Sequence, residues 1–149
     1  MAETTQYCTF WVGSLYLGID VHKVQEVMRT LEMTPVPLAV PAVRGLINLR
    51  GQIVTAIDMR RRLGLVDRPD DQEPMNVVMR TDDGAISLLV DEIGDVIEVE
   101  SSMFEQVPDT LQGAARALIS GVYKLNGQLL LILDSTLTAA PEMAAAGVG

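Results

Sequence analysis

The amino-acid sequence predicts an all-β fold of two similar subdomains, each a small closed barrel. Three observations carry that expectation. Short stretches rich in β-branched and aromatic residues recur, among them YCTFWV (7–12) and LYLGID (15–20). Tight-turn pairs separate several of them: Gly13-Ser14, Arg50-Gly51 and Asn126-Gly127. The third observation is an internal repeat. GLINLRGQIVTAID (45–58) lies over GVYKLNGQLLLILD (121–134) without a gap, matching Gly45 to Gly121, Gly51 to Gly127, Gln52 to Gln128 and Asp58 to Asp134 at an offset of 76. A weaker echo sets LGID (17–20) over LLVD (88–91) at an offset of 71. This period is too long for a solenoid, and short, closely spaced strands favour barrels over an open sandwich.

Each element follows from local pattern. Tyr7–Val12 and Leu15–Asp20 read as a hairpin around Gly13-Ser14. Val21–Met28 places Val21, Val24, Val27 and Met28 at helical spacing, which predicts a short helix or turn. Thr34–Pro41 holds three prolines in eight residues and reads as an extended loop. Gly45–Asp58 is a second hairpin, followed by one helical turn over Met59–Leu63 that Gly64 ends. The polar, turn-rich stretch Asp67–Pro74 marks a boundary. Asn76–Thr81 and Ala85–Val90 form a third hairpin, and Val96–Val99 and Ala117–Leu133 supply further strands. The tail at 139–149 is expected to be disordered. The result is one domain over 1–138, with approximate subdomains 7–66 and 75–138 and exchange of strands between them left open.

Composition narrows the function. With 48% apolar residues in 149, the chain sustains a core. A net charge of −9 argues against a nucleic-acid partner, whose phosphates demand cations. The single cysteine, Cys8, excludes an intrachain disulfide and is expected to be a buried free thiol. The start MAETTQ lacks the regions of a signal peptide, and the apolar run Leu129–Leu133 is far shorter than the ~20 residues that span a bilayer. These features predict a soluble protein of the reducing cytoplasm.

No catalyst emerges. The single histidine, His22, has no motif partner, and one His with one Cys makes no recognised zinc site. Phosphate-binding loops and nucleophile elbows are absent from the sequence. Asp20, Asp58, Asp91 and Asp134 recur at equivalent strand ends, which predicts turn or cap hydrogen bonding. Arg60–Arg62 is expected to be a solvated face. The reading is therefore no enzyme, no catalytic residues, no cofactor and no metal. One residue stands out from local chemistry. Asn126-Gly127 suits a type I′ turn, whereas Arg50 at the matching place predicts type II, with positive φ only at Gly51. Neither turn selects arginine, but a rigid five-donor guanidinium suits protein recognition.

At these residues the chain closely resembles the CheW family of chemotaxis coupling proteins. The matching stretches are VQEV (24–27), PAVRGLINLRGQIVTAIDMRRRLGL (41–65), LLVDEIGDV (88–96) and ISGVYKLNGQLLLILD (119–134). Thr55 and Met59 stand where many members have proline and leucine, changes that alter no charge. The resemblance implies two five-stranded β-barrels with short helical segments. It also implies a non-enzymatic adaptor joining the cytoplasmic tips of methyl-accepting chemoreceptors to the regulatory domain of the histidine kinase CheA. The adaptor would be cytoplasmic and held at membrane receptor arrays through its partners, with no direct membrane insertion. Carried over residue by residue, the resemblance marks Glu26 and Arg50 as protein-binding, with Val24, Gly45, Asn48 and Gly51 shaping the same surface. The alternative is a CheW-type module of a non-flagellar chemosensory pathway, or a competitor for receptor sites.

Overall fold

A computed structural model describes residues 3–29, 31–37, 40–82 and 84–139. Its strands are β1 (Thr4–Val12), β2 (Leu15–Asp20), β3 (Val24–Met28), β4 (Val43–Leu49), β5 (Gln52–Asp58), β6 (Met75–Thr81), β7 (Gly84–Val90), β8 (Glu92–Glu100), β9 (Ile119–Leu125) and β10 (Gln128–Leu133). Two short helices join them, α1 (Met59–Arg62) and α2 (Gly113–Leu118). The strands make two five-stranded sheets, ordered β3-β6-β7-β5-β4 and β8-β1-β2-β10-β9.

That order is a strand exchange. The first repeat keeps β3, β4 and β5 in the first sheet and sends its hairpin β1–β2 to the second. The second repeat returns β6–β7 to the first sheet. Registers match across the swap: Glu26 pairs with Val78 in the first sheet as Ile97 pairs with Tyr7 in the second. Each donated hairpin meets its host through one antiparallel pair, β3–β6 or β1–β8, and one parallel pair, β5–β7 or β2–β10.

Both faces of the central strands are buried, so they read as near-continuous apolar runs. Along β7, Ile86, Leu88 and Val90 face a core shared by the two sheets, together with Phe10, Leu17, Ile57, Val77 and Leu131. Leu89 points the other way, into a small core with Ile47, Leu49, Val54, Ala56 and Val78. The second sheet has its own small core of Tyr7, Tyr123, Leu130 and Ile132. Repeat positions explain how both fill. Ile47 and Val78 become Tyr123 and Tyr7, and the larger rings are offset because Leu89 becomes Gly18, where a Cβ would already press on Leu130, Ile132 and Tyr7.

Each sheet curls until the segment after its first edge strand reaches the strand at the opposite edge. Thr34 and Leu46 exchange backbone hydrogen bonds of 2.8 Å. Glu105 and Val122, at the equivalent places, exchange bonds of 2.8 and 2.9 Å. The repeat glycines make room for this crossing. A Cβ on Gly45 would lie 2.6 Å from the Thr34 carbonyl oxygen, and a Cβ on Gly121 would lie within 2.6 Å of three carbons of the Phe104 ring.

The structure departs from the sequence reading in several places. Only Val21–Lys23 forms a 3-10 turn, and Val24–Met28 is strand β3 rather than helix. A bulge between Val24 and Glu26 puts Val24 opposite Met79 and Val27 opposite Val77, on one face three residues apart, which imitates helical spacing. Residues 113–118, partly expected as strand, form α2, whose run Ala114-Ala115-Arg116-Ala117-Leu118 has no β-branched residue. Cys8 is half-buried rather than buried.

Arg60–Arg62 is not a solvated face. Arg60 grips Asp91 through Nη2 at 2.7 Å, Arg61 donates to Asp67 at 3.0 and 3.2 Å and to the Pro41 carbonyl at 2.8 Å, and Arg62 donates to the Leu137 carbonyl at 2.8 Å. The polar stretch after α1 is thereby strapped down. Asp20, Asp58 and Asp134 cap turns as expected, accepting from the amides of His22, Arg60 and Leu137. Asp91 does more. It lies where the chain leaves the first sheet for the second, and also accepts from Arg68 Nε at 2.9 Å and the Gly13 amide at 2.6 Å. The expected disordered tail falls outside the described residues except at Ala139, which is buried.

Candidate functional site

The hairpin β4–β5 carries Arg50-Gly51 at its tip, and the curl of the first sheet brings that tip to β3 at the opposite edge. Arg50 meets Glu26 there in a two-pronged ion pair, Nη1 to Oε2 at 2.5 Å and Nη2 to Oε1 at 2.9 Å. The planar fork matches the carboxylate, so the pair is fixed in direction as well as distance. Arg50's hydrogen bond holds the Glu26 carboxyl below its ordinary value, and Glu26 in turn raises the guanidinium. The side chain of Glu26 is 22% exposed and that of Arg50 is 69% exposed. The carboxylate is thus the sheltered member and the guanidinium the presented one.

The turn itself is unusual. Arg50 has φ 53°, the only positive value at a non-glycine among the described residues, and Gly51 follows at 87°. Two positive angles in a two-residue loop make this a type I′ turn, where the sequence predicts type II. Asn126 in the matching turn is not in the left-handed region, although Gly127 has φ 77°. The two turns are therefore reversed from expectation. Asn48 explains part of the difference: its Oδ1 accepts from the Gly51 amide at 2.9 Å and braces the loop.

Four of the six marked residues, Glu26, Asn48, Arg50 and Gly51, meet at this rim. Gly45 and Val24 do not join them. Gly45 is buried beneath the crossing at Thr34, and Val24 packs toward the shared core. One neighbour escaped the sequence reading: Ile53, 61% exposed, directly opposite Asn48 on β5. Strand periodicity carries its signal, because Val54 and Ala56 face the small core and leave Ile53 on the other side.

Elsewhere the chemistry is spent internally. A charged cavity of ≈ 280 Å³ beneath the strapped segment has Arg44, Arg61, Arg68, Asp58, Asp67 and Asp70 in its lining; Arg61 faces Asp58 and Asp67 there, and Arg68 pairs with Asp91. A cleft of ≈ 170 Å³ between the β1–β2 tip and β10 is lined mainly by Leu15, Tyr16, Pro108, Leu111, Leu129 and Leu131. Among the described residues, no group of three His, Cys, Asp or Glu side chains is placed to hold a metal ion, and no helix is long and apolar enough to cross a membrane.

Comparison with known proteins agrees with this architecture. A family model describing the CheW-like domain matches residues 6–139. The chemotaxis protein CheW of Bacillus subtilis is 32% identical over 126 residues, covering 85% of this chain and 81% of its own. That of Treponema pallidum is 28% identical over 136 residues, covering 89% and 80%. The crystal structure of the scaffolding protein TtCheW from Thermoanaerobacter tengcongensis superposes with a TM-score of 0.80 at 23% identity, over 89% of this chain and 90% of that one.

Proposed function

The chain belongs to the CheW family, and on that premise we propose that it is a non-enzymatic adaptor coupling methyl-accepting chemoreceptors to the regulatory domain of the histidine kinase CheA. It works in the cytoplasm and reaches membrane receptor arrays through those partners. An adaptor needs no reacting group; it needs a surface whose donors are fixed before the partner arrives, so that little ordering remains to be done on binding.

The rim of the first barrel supplies such a surface, and the observation that carries the reading is the Glu26–Arg50 pair. Glu26 holds the guanidinium in one direction, yet Arg50 stays largely exposed and has donors left for a partner. Ile53 beside it adds an exposed apolar anchor. The second barrel lacks this rim, since Glu26 and Arg50 correspond to Ile97 and Asn126.

Reconstitution with receptor tips and kinase tests the reading. Arg50→Ala should weaken ternary assembly roughly ten- to hundred-fold, the range for lost charge-assisted hydrogen bonds, while kinase stimulation falls in parallel. Normal coupling by a fully folded Arg50→Ala protein removes the rim from the site.

A further inference from the structure

We propose that the Arg50-Gly51 turn is a two-state element, latched in its left-handed form by Glu26 and Asn48 and released when an acidic group on a partner takes the guanidinium. The release step rests on the adaptor reading above; the latch does not.

The internal repeat shows both states of one hairpin. The loops have the same length and register, Leu49 opposite Gln52 and Leu125 opposite Gln128. Their second residues are glycines with similar angles, 87° and 77°. A glycine near those values serves the second place of a type I′ and of a type II turn alike. The loops therefore differ at the first residue, left-handed at Arg50 and not at Asn126. Composition alone would assign them the other way round, because asparagine tolerates the left-handed region and arginine does not. For an ordinary L-residue that region is disfavoured on the order of ten-fold or more.

Something outside the loop must hold Arg50 there, and two contacts do. Glu26 takes both terminal nitrogens of the guanidinium, and Asn48 takes the Gly51 amide. Both are missing from the second repeat, where the equivalent residues are Ile97 and Lys124. Ile97 packs toward the small core, and the Lys124 ammonium lies 3.4 Å from Glu105. The loop with two latches carries the costly angle, and the loop with none does not. A partner carboxylate that draws the guanidinium away removes the stronger latch. Arg50 then turns to the backbone form seen at Asn126, and Gly51 hardly moves.

Nuclear magnetic resonance on the isotopically labelled full chain tests this. In the free protein, Arg50 should show the strong intraresidue amide–Hα NOE of positive φ, and Asn126 should not. The double variant Glu26→Gln, Asn48→Lys should lose that NOE at Arg50 while its spectrum stays that of a folded protein. Asn48→Lys alone, at an exposed position, should weaken it and serves if the double variant unfolds. A folded variant that keeps the full NOE overturns the latch. Adding the kinase regulatory domain to the unmutated chain should also weaken the NOE. Binding with the NOE intact sinks the release step and leaves the adaptor reading standing. Absence of binding to either partner sinks the adaptor reading and the release step together, and the free-protein result still decides the latch.

Discussion

Arg50 occupies a backbone angle its side chain disfavours, at a position where local geometry would accept glycine or asparagine without strain. Such strain persists only where the surroundings over-determine it, here through Glu26 and Asn48. Strain and ion pair should therefore nearly cancel in stability on substitution, while coupling falls. Arg50→Asn relieves the angle but loses the pair to Glu26, so the melting temperature is expected to stay within about 2 °C, while ternary assembly weakens as for Arg50→Ala. A large rise in melting temperature would mean that the ion pair is too weak to hold the angle. The same geometry makes Asn126 ordinary. Asn126→Ala should stay within about ±0.5 kcal/mol, whereas Gly127→Ala, at φ 77°, should cost about 1 kcal/mol. Paired thermal melts check both. This reversal was illegible in the sequence because Glu26, 24 residues away, and Asn48, outside the two-residue loop, decide the turn rather than the loop's own residues.

At the scale of elements, the hairpins and the repeat were legible because strand signals there are local: β-branched runs, turn pairs and a constant offset. Two elements were hidden. The bulge in β3 changed a period of two into an apparent period of three, and α2 is amphipathic over too few residues to announce itself. The reason for the repeat glycines was also hidden, since both are close-approach sites for a segment that arrives from elsewhere. They predict different tolerances. A methyl on Gly45 meets the backbone oxygen of Thr34, a residue pinned by two backbone hydrogen bonds to Leu46 that cannot retreat. A methyl on Gly121 meets the ring of Phe104, a side chain already 43% exposed that can swing outward. Gly45→Ala should cost about 2–3 kcal/mol and Gly121→Ala about 1 kcal/mol, read by denaturant melts. Equal costs would show that the Phe104 ring is as firmly seated as the Thr34 backbone.

Over the whole molecule, a chain that reads as two halves is built so that neither half owns a sheet. Unfolding should accordingly be one transition, with calorimetric and van't Hoff enthalpies equal; two resolved steps would show that the sheets are independent in spite of the exchange. Asp91 sits at the crossing, its side chain 7% exposed between Arg60 and Arg68. Burial pushes its carboxyl up, but Arg60, the Gly13 amide and Arg68 more than offset that and hold it below the ordinary value. A lowered carboxyl contributes stability above its unfolded pKa of about 4 and loses it as the pH falls through the folded value. Acid titration of stability should therefore be shallower in Asp91→Asn, which should also cost about 3 kcal/mol near neutrality by leaving two guanidiniums without their carboxylate. The exchange also sets a timetable for synthesis. The hairpin β1–β2 leaves the ribosome first, but its neighbours β8 and β10 come only at residues 92–100 and 128–133. The first sheet, begun later at β3, is complete once β7 ends at Val90. The barrel that holds β1 and β2 is thus the last to close, and those two apolar strands, made before β3, must wait longest for shelter.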